Sequence, residues 1–584
     1  MPTKLKQRRQ QWLESERGTI RKAWGARFRV ALAFPNRYAV GMSNLGFQYV
    51  YGALNDLDDV VCERVFYPEP EDLPHLQAHP GQLLTVESQR PVRDFDLIAF
   101  SIPYENDTGY AVEMLAMAGI PPLAERRSGA HPLVAAGGVA VFLNPEPFAP
   151  FLDFEFIGEA EAILPDFLEV WAELAGGETS RQELLKALAK RVEGVYVPSL
   201  YQVSTLADGT LEGITPRPGS GAPERVIYRR ADLDAGPPCH SVIITPNTEF
   251  ADVLLVEIGR GCGRGCRFCA AGFVYRPVRT HAAEKLIEEA GRHMPAVSRV
   301  GLVSAAVSDH PEISLLCRSL LKMGGSLSFS SLRADSIDPE IASALRESGH
   351  KAVAIAPEAG SERLRRVINK NISEEDVLRA AELLAGAGIL HLKLYFMIGL
   401  PTETMEDLEA IVDLVKRIKH HVLKVSRGRR AMGTIVLSIH SFVPKPSTPF
   451  QWVPFAGVQT LKERARWIGR ALGRVSNVRV HFDLPKWAYV QALLARGDRR
   501  AALFIEKAAL EGMSWSRAMR SVPFNPDFWV MRERGEHEFF PWEVIDGRVS
   551  RDYLWAEYQR ALRGEKSPPC RSQEDCVRCG VCRP

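Results

Sequence analysis

Short apolar segments that alternate with segments of helical spacing constrain the fold of this chain more than any other feature. The first series begins at residue 28. Its predicted strands are FRVALAFP, VVCERVF, DLIAFSIPY, PLVAAGG and FEFIGE. Strands that alternate with helices favour parallel βαβ units in a doubly wound sheet. We therefore predict an α/β domain of this kind, with a basic leader, over residues 1–194.

A second series follows a segment rich in Gly and Pro, residues 195–247, which predicts a linker or a small irregular subdomain. The predicted strands of this series are VLLVEIGR, RVGLVSAA, SLSFSSLRAD, AVAIAPEAG, LHLKLYFMIG and TIVLSIHSF. Six such units indicate a partial or complete β/α barrel over residues 248–480. Residues 481–584 predict a helical C-terminal region that ends in a cluster of cysteines.

The composition is that of an ordinary globular protein, with 46% hydrophobic and 25% charged residues among 584, which excludes a disordered or collagenous chain. The formal net charge of +2 generates no overall field toward nucleic acid or an anionic membrane. No apolar run is long enough for a transmembrane helix, and the basic N-terminus lacks the apolar core of a secretory signal. We expect a soluble, cytoplasmic protein without membrane contact.

Seven of the ten cysteines lie in two groups. The first group, Cys262, Cys266 and Cys269 in GCGRGCRFC, directly follows the first strand of the second series. This position corresponds to the C-terminal mouth of a barrel, where barrel enzymes carry their chemistry. Three thiolates at this spacing can hold three irons of a [4Fe-4S] cluster and leave the fourth iron open. Zinc is the structural alternative, but the loop offers no fourth thiolate or histidine.

The second group lies in the C-terminal region, and its members are Cys570, Cys576, Cys579 and Cys582. Successive two-residue spacers are typical of bacterial ferredoxin clusters, which favours an auxiliary [4Fe-4S] cluster. Zinc is the second interpretation, although structural zinc sites usually pair two separated C-x2-C knuckles. Free thiols are the third.

The segment GCGRGCRFC, with Phe268 just before the third cysteine, resembles the radical S-adenosylmethionine (radical SAM) superfamily. The resemblance implies a partial (β/α)6 barrel, SAM on the open iron, and reductive cleavage of SAM to a 5′-deoxyadenosyl radical that abstracts hydrogen from a substrate. It also implies a reducing partner such as flavodoxin or ferredoxin. No catalytic side chain is assigned beyond the cluster ligands.

The same resemblance implies SAM contacts from the ends of later strands. The candidate residues are Ser304, Ser308, Arg333, Glu358 and Ser361. Arg333 suits the SAM carboxylate and Glu358 suits its ammonium or ribose, because those are the groups that SAM presents. The alternative for Arg333 is a strand-end ion pair with a neighbour.

The first domain resembles the cobalamin-binding domain of the B12-dependent branch of this superfamily. Gly137, Gly138 and Gly158 at predicted strand ends match the pattern. The Asp-x-His-x-x-Gly motif that supplies an axial imidazole in B12 mutases is absent, and the turn reads NRYAVGMSNLG. The alternative is a flavodoxin-like domain kept for packing or docking.

Segments along nearly the whole chain resemble a family of B12-binding-domain radical SAM proteins with no agreed substrate. They include CERVFYPEP, APEAGSERLRRVINKNIS, VPKPSTPFQW and FFPWEVIDGRVSRDYL. The favoured function is a cobalamin-dependent radical SAM enzyme that methylates or remodels an unactivated carbon. A cobalamin-independent, methylthiotransferase-like enzyme that inserts sulfur into RNA or protein is the second interpretation, and a non-catalytic Fe–S or cobalamin sensor is the third.

Two smaller features have two interpretations each. The basic run over residues 416–430, near the predicted barrel mouth, can contact RNA phosphates, but it lacks interleaved aromatics and a solvated loop is favoured. His310 after the second barrel strand is either a proton donor or an ordinary strand-end histidine.

Overall fold

The strands of the first series form one sheet in the computed structural model, which describes residues 2–25, 27–174, 179–329, 332–426, 433–570 and 576–582. They are β1 (Phe28–Phe34), β2 (Val60–Phe66), β3 (Leu97–Ser101), β4 (Leu133–Gly137) and β5 (Phe154–Phe156). The sheet also includes β6 (Val195–Tyr196), which lies in the segment predicted as a linker. The order is β2-β1-β3-β4-β5-β6, with parallel pairs up to β5 and an antiparallel β6. The strand order reverses between β1 and β3, and doubly wound sheets bind ligands at this switch point.

Helices cover both faces of this sheet. They are α1 (Pro2–Ser15), α2 (Tyr38–Gly41), α3 (Leu45–Asn55), α4 (Leu73–Ala78), α5 (Thr108–Met117), α6 (Val139–Leu143), α7 (Ala160–Leu174) and α8 (Arg181–Arg191). Alternate residues of β1 enter different cores, since Val30 and Leu32 pack on one face while Ala31 and Ala33 pack on the other. Burial on both faces explains the continuous apolar runs of these strands, and the predicted doubly wound α/β fold is confirmed.

The segment between the two series contains an antiparallel hairpin of β7 (Tyr201–Thr205) and β8 (Leu211–Pro216), followed by β9 (Val226–Ile227). The strands of the second series are β10 (Val253–Glu257), β11 (Gly259–Arg260), β12 (Arg279–Thr280), β13 (Arg299–Val303), β14 (Ser326–Phe329), β15 (Ala352–Glu358), β16 (His391–Ile398), β17 (Ile435–Ser441) and β18 (Val478–Phe482). All six predicted barrel strands are present. Together with β18 they form two parallel sheets, β10-β13-β14 and β15-β16-β17-β18, which a bridge between Leu332 and Ile355 connects.

Strand β18 is a seventh parallel strand that the sequence analysis did not predict. Its residues VRVHF alternate between half-buried and exposed positions, so it lacks the apolar run that marks the other strands. The predicted boundary at residue 480 therefore falls inside β18, and the helical region begins after it. The short antiparallel pair of β11 and β12 flanks the cysteine loop at the mouth.

Helices pack on the outside of the barrel. They are α9 (Ala283–His293), α10 (Ile313–Lys322), α11 (Pro339–Glu347), α12 (Glu362–Val367), α13 (Glu374–Gly386), α14 (Met405–Ser426) and α15 (Val458–Leu472). The C-terminal region contributes α16 (Pro485–Arg496), α17 (Ala502–Ala509), α18 (Trp515–Ser521), α19 (Asp527–Val530), β19 (Ile545–Asp546) and α20 (Arg551–Leu562). Within the described ranges, no helix has both the length and the apolar character that crossing a membrane requires.

The C-terminal region packs against both preceding units. Val490 and Ile505 join the core of the N-terminal domain. Trp542 and Tyr558 form a separate core with Phe273, which follows the cysteine loop. The C-terminal helices therefore connect the first sheet to the mouth of the barrel.

Candidate active site

The cysteine triad lies in the loop between β11 and β12, at the carboxyl end of β10. Burial is the main cause that raises the pKa of the Cys269 thiol to about 12, and the charges of Cys266 and Cys262 add to it. Burial followed by the charge of Cys266 likewise raises the pKa of Cys262. The three thiols are close enough to raise one another's pKa when they carry negative charge. Such a set of sulfurs suits iron, because the positive charge of the metal stabilises the thiolates.

The loop needs glycine where its backbone passes close to a neighbouring segment. Gly261 has φ +87°, and a Cβ there would lie 2.7 Å from the carbonyl oxygen of Tyr275. Asn369 fastens the other side of the loop, because its Nδ2 donates to the carbonyl of Gly265 at 3.1 Å. The cysteines are thus presented by a loop that is held on two sides.

Arg264, between the first two cysteines, connects the loop to the ends of later strands. Its guanidinium donates to both oxygens of Asp309 at 2.7 and 2.6 Å and reaches Asp335 at 3.3 Å. Arg333 also donates to Asp335, at 3.0 Å, and to the carbonyl of Lys370 at 3.0 Å. The structure therefore shows the strand-end ion pair for Arg333, and its contact with the SAM carboxylate stays a prediction. Sequence reasoning missed Arg264.

Glu358, at the carboxyl end of β15, pairs with Lys370, whose Nζ donates to Oε1 at 3.1 Å. Burial alone lowers the pKa of Lys370, but the charges of Glu358 and Cys266 raise it above its ordinary value. Lys370 therefore lies close to the cysteine triad. Sequence reasoning missed it, although the run Asn369-Lys370-Asn371 carried a signal. Both asparagines adopt positive φ, a conformation that asparagine tolerates better than most residues.

The three predicted serines differ in their surroundings. Ser304 follows β13 and lines the cavity described below. The Oγ of Ser308 is buried without a hydrogen-bond partner among the described residues, and its SAM contact stays a prediction. Ser361 is the N-cap of α12, where its Oγ accepts from the backbone N–H of Leu364 at 3.0 Å and also contacts Asp407. Its hydroxyl is occupied by the helix end, and a SAM contact from it stays a prediction.

His310 has a structural role in the described chain. Its Nε2 lies 2.9 Å from the carbonyl oxygen of His281, and its Nδ1 accepts from the backbone N–H of Glu312 at 3.1 Å. Both ring nitrogens are thus committed, which fits the interpretation of an ordinary strand-end histidine.

A cavity of about 430 Å³ extends from the first sheet to the cysteine loop. Its inner end is apolar and lies between the sheet and helices α3 and α7, with Val30 and Leu54 in its lining. The lining residues at the barrel end include Glu257, Gly259, Arg260, Gly261, Tyr275 and Ser304. The cavity thus begins at the switch point of the sheet and ends beside the cysteine triad.

The three predicted glycines all line this cavity. Gly138 has φ +106°, and a Cβ there would lie 2.6 Å from the carbonyl oxygen of Ile102. Gly158 has φ +140°, and a Cβ there would lie 2.4 Å from the carbonyl oxygen of Arg229. Backbone packing therefore requires glycine at both positions. At Gly137 a Cβ would meet only Phe156 at an ordinary 3.5 Å, so this glycine leaves cavity space open.

An ion-pair network fastens the N-terminal domain to the barrel beside this cavity. Arg260 donates to Glu159 at 2.9 Å, Glu161 at 2.8 Å and Glu257 at 2.7 Å. Arg279 also donates to Glu159, at 2.6 Å. Burial alone raises the pKa of Glu159, but the two arginines hold it below its ordinary value. Sequence reasoning missed this network, because its members lie far apart along the chain.

The C-terminal cysteines lie together and against the triad loop. Burial, followed by the charges of Cys579, Cys570 and Cys576, raises the pKa of Cys582, so all four thiols are near one another. The backbone N–H of Cys570 donates to the carbonyl of Gly263 at 2.7 Å. Residues 571–575 lie outside the described part of the chain. The second cysteine group therefore adjoins the first.

The described part of the basic run, residues 416–426, belongs to a helix that leads away from the barrel mouth. Residues 427–430 lie outside the described residues, and the rest belongs to the C-terminal half of α14. Because α14 returns from the carboxyl end of β16 to the start of β17, its last residues lie at the opposite end of the barrel. Arg417, near the middle of α14, pairs with Glu374, the first residue of α13.

Comparison with known proteins agrees with this site. Residues 46–198 match the family of radical SAM proteins, N-terminal, and residues 256–415 match the radical SAM superfamily. The two ranges together span more than half of the 584 residues. The chain belongs to the radical SAM superfamily, and it is a radical SAM enzyme.

Similar proteins occur in archaea. An uncharacterized protein of Methanocaldococcus jannaschii is 29% identical over 484 residues, which cover 82% of this chain and 90% of that protein. An uncharacterized methyltransferase of Pyrococcus horikoshii is 25% identical over 251 residues, covering 41% of this chain and 51% of that protein.

Among solved structures, the methyltransferase TsrM from Kitasatospora setae, with cobalamin and a [4Fe-4S] cluster bound, is 14% identical with a TM-score of 0.45, and 75% of each chain is covered. The cobalamin-dependent radical enzyme OxsB, with aqua-cobalamin bound, is 13% identical with a TM-score of 0.45, covering 92% of this chain and 80% of that one.

Proposed function

We propose that this radical SAM enzyme binds cobalamin and uses it to methylate or otherwise remodel a carbon atom of its substrate. The observation that supports the proposal is the cavity of about 430 Å³ between the switch point of the first sheet and the cysteine loop. A cofactor at this place would reach from the N-terminal domain to the radical-generating site.

In this proposal, Cys262, Cys266 and Cys269 hold the [4Fe-4S] cluster. When bound, the cluster and SAM supply the 5′-deoxyadenosyl radical, after an electron from a donor such as reduced flavodoxin or ferredoxin. The chain's own residues bind and orient SAM. The methionine group of SAM carries a carboxylate and an ammonium. Positive and negative side chains beside the loop can bind them, namely the ion pairs Arg333–Asp335 and Lys370–Glu358.

The apolar inner end of the cavity suits the nucleotide tail of cobalamin, because it lies between the sheet and its covering helices at the switch point. None of the described residues that line the cavity is a histidine. This agrees with the missing Asp-x-His-x-x-Gly motif, and in the proposed complex the protein contributes no imidazole to cobalt.

The test is the corrinoid and iron content of the full chain, purified anaerobically from cells supplied with cobalamin. We expect near-stoichiometric corrinoid by absorbance in the unchanged protein. Gly137→Val should lower it strongly without changing iron, since the added side chain occupies cavity space. The matched control is Gly213→Val, a strand glycine of the hairpin whose Cβ would meet only Ser204 at 4.0 Å. Iron without corrinoid in the unchanged protein would overturn the cobalamin proposal.

A second candidate function is sulfur insertion without cobalamin. The observation that favours it is the contact between Cys570 and Gly263, which places a second cysteine group against the loop of the first. An auxiliary [4Fe-4S] cluster there would lie close enough to supply sulfur or to relay electrons. Iron and sulfide for two clusters, together with no corrinoid, would favour this function.

A further inference from the structure

A cluster of three potential metal ligands lies on the outer side of the barrel, away from both cysteine groups. Its members are His240, Glu289 and His293, whose ligand atoms all lie within 4.8 Å of one another. Nδ1 of His240 is 3.4 Å from Oε1 of Glu289, and Nε2 of His293 is 3.1 Å from the same oxygen. Two imidazoles thus converge on one carboxylate oxygen.

The three side chains come from two elements that pack together. Glu289 and His293 are four residues apart on α9 and therefore lie on the same face of that helix. His240 belongs to residues 239–241, which run antiparallel beside β10, with Ser241 N–H donating to Leu255 O at 2.9 Å. His240 lies opposite Val256, whose side chain shares a core with residues of α9, so both face the helix.

Hydrogen bonds account for part of this geometry, because Nε2 of His293 is 3.1 Å from Oε1 of Glu289 and Nδ1 of His240 is 3.2 Å from the carbonyl oxygen of Pro238. The distance of 3.4 Å from His240 to Glu289 is longer than the range of about 2.7–3.2 Å for an N–H···O hydrogen bond. Separations of 3.1 and 3.4 Å instead approach the edge of a tetrahedron around zinc, about 3.3–3.4 Å for bonds of about 2.0–2.1 Å. Two imidazoles and a carboxylate are also a ligand set that zinc accepts.

The carboxylate is oriented for this role. Glu289 is 4% exposed, and its second oxygen accepts from Nη1 of Arg292 at 2.8 Å. That contact holds the carboxylate so that Oε1 faces the two imidazoles, as outer-shell partners do for metal ligands.

We propose that His240, Glu289 and His293 bind one Zn²⁺ ion, with water in the fourth position. The ion would fasten the segment before the barrel to α9. Cys239, the neighbour of His240, lines the cavity on the other side of that segment. Zinc at this place would therefore hold one wall of the cavity in position.

The test is the zinc content and zinc coordination of the full, anaerobically purified protein, incubated with Zn²⁺ and then dialysed. We expect one tightly held zinc per chain, and its X-ray absorption fine structure should show nitrogen and oxygen neighbours without sulfur. His293→Ala should remove this zinc and leave the iron content unchanged. The matched control is His421→Ala, which breaks a histidine–glutamate contact of 2.6 Å with Glu382 outside the cluster.

Other outcomes overturn the proposal. The first is that the unchanged protein binds no zinc. The second is that the bound zinc has only sulfur neighbours, which would place it at the C-terminal cysteines. The third is that His293→Ala still retains the zinc. If that variant fails to fold, the coordination of zinc in the unchanged protein decides, because imidazole scattering distinguishes this site from a thiolate site.

Discussion

Glu358 illustrates how single residues carry strain at this site. It has φ +68° at the end of β15, a conformation that costs an L-residue about 1–2 kcal/mol. Such strain persists where the surroundings hold the residue, and it gathers at functional sites. Here the holding contact is the pair with Lys370, which is itself close to Cys266. The strain supports a role for Glu358 beside the cluster.

Cys266 is the residue whose loss tests the cluster most directly. Cys266→Ala should abolish reductive SAM cleavage, because it removes one of three ligands of the open-site cluster. The measurement is 5′-deoxyadenosine released after reduction with dithionite. Cys317→Ala is the control, because this buried cysteine lies in the core between α10 and the barrel sheet. Cleavage by Cys266→Ala at the rate of the unchanged protein would contradict the assignment.

Among the elements, strand β5 contains a buried carboxyl group that its sheet does not satisfy. Both carboxylate oxygens of Glu155 are buried without a hydrogen-bond partner among the described residues. Burial is the main cause that raises the pKa of Glu155 well above its ordinary value, and the charge of Glu146 adds to it. The folded protein therefore retains a proton that the unfolded chain releases as pH rises.

We accordingly expect pH-dependent stability that originates in β5. The contribution of Glu155 is full below its unfolded pKa of about 4.5 and declines as pH rises toward the folded value, by about 1.4 kcal/mol per pH unit. Glu155→Gln should flatten this part of the profile and stabilise the protein at neutral pH. Free energies of unfolding between about pH 5 and 7 measure the difference.

The comparison variant is Glu146→Gln, which also reduces the upward shift of the Glu155 pKa because it removes the neighbouring charge. Glu146 accepts from Arg499 at 3.0 Å and from Tyr196 at 2.5 Å, so removing its charge should destabilise the protein at neutral pH. Identical pH profiles for Glu155→Gln and the unchanged protein would show that the Glu155 carboxylate is not the source.

At the scale of the whole molecule, the network around Arg260 joins the first sheet to the barrel beside the cavity. Arg260→Ala removes a positive charge that balances three carboxylates. Removing one partner of a buried ion pair lowers the free energy of unfolding by about 3–5 kcal/mol. We expect a lower free energy of unfolding and weaker corrinoid retention, measured by denaturant unfolding and absorbance.

The control is Arg318→Ala, which breaks an exposed pair with Glu340 and should cost less than about 1 kcal/mol. Equal effects of the two variants would mean that Arg260 does not hold the two units together.

Much of this organisation could be predicted because it depends on short-range patterns. Buried strands such as β1 appear as continuous apolar runs, and the spacing of Cys262, Cys266 and Cys269 specifies a thiolate loop without further information. Strand β18 escaped prediction because its alternating, half-exposed residues resemble a surface segment.

The amino-acid sequence is sufficient for the alternation of strands and helices, the cysteine spacing and the radical SAM class, since each is encoded by residues close together in the chain. The folded structure is needed to learn which distant residues meet. Cys570 reaches Gly263, Arg260 reaches Glu159, and His240 reaches α9. Such contacts depend on how complete elements pack on one another, and no local spacing specifies that packing.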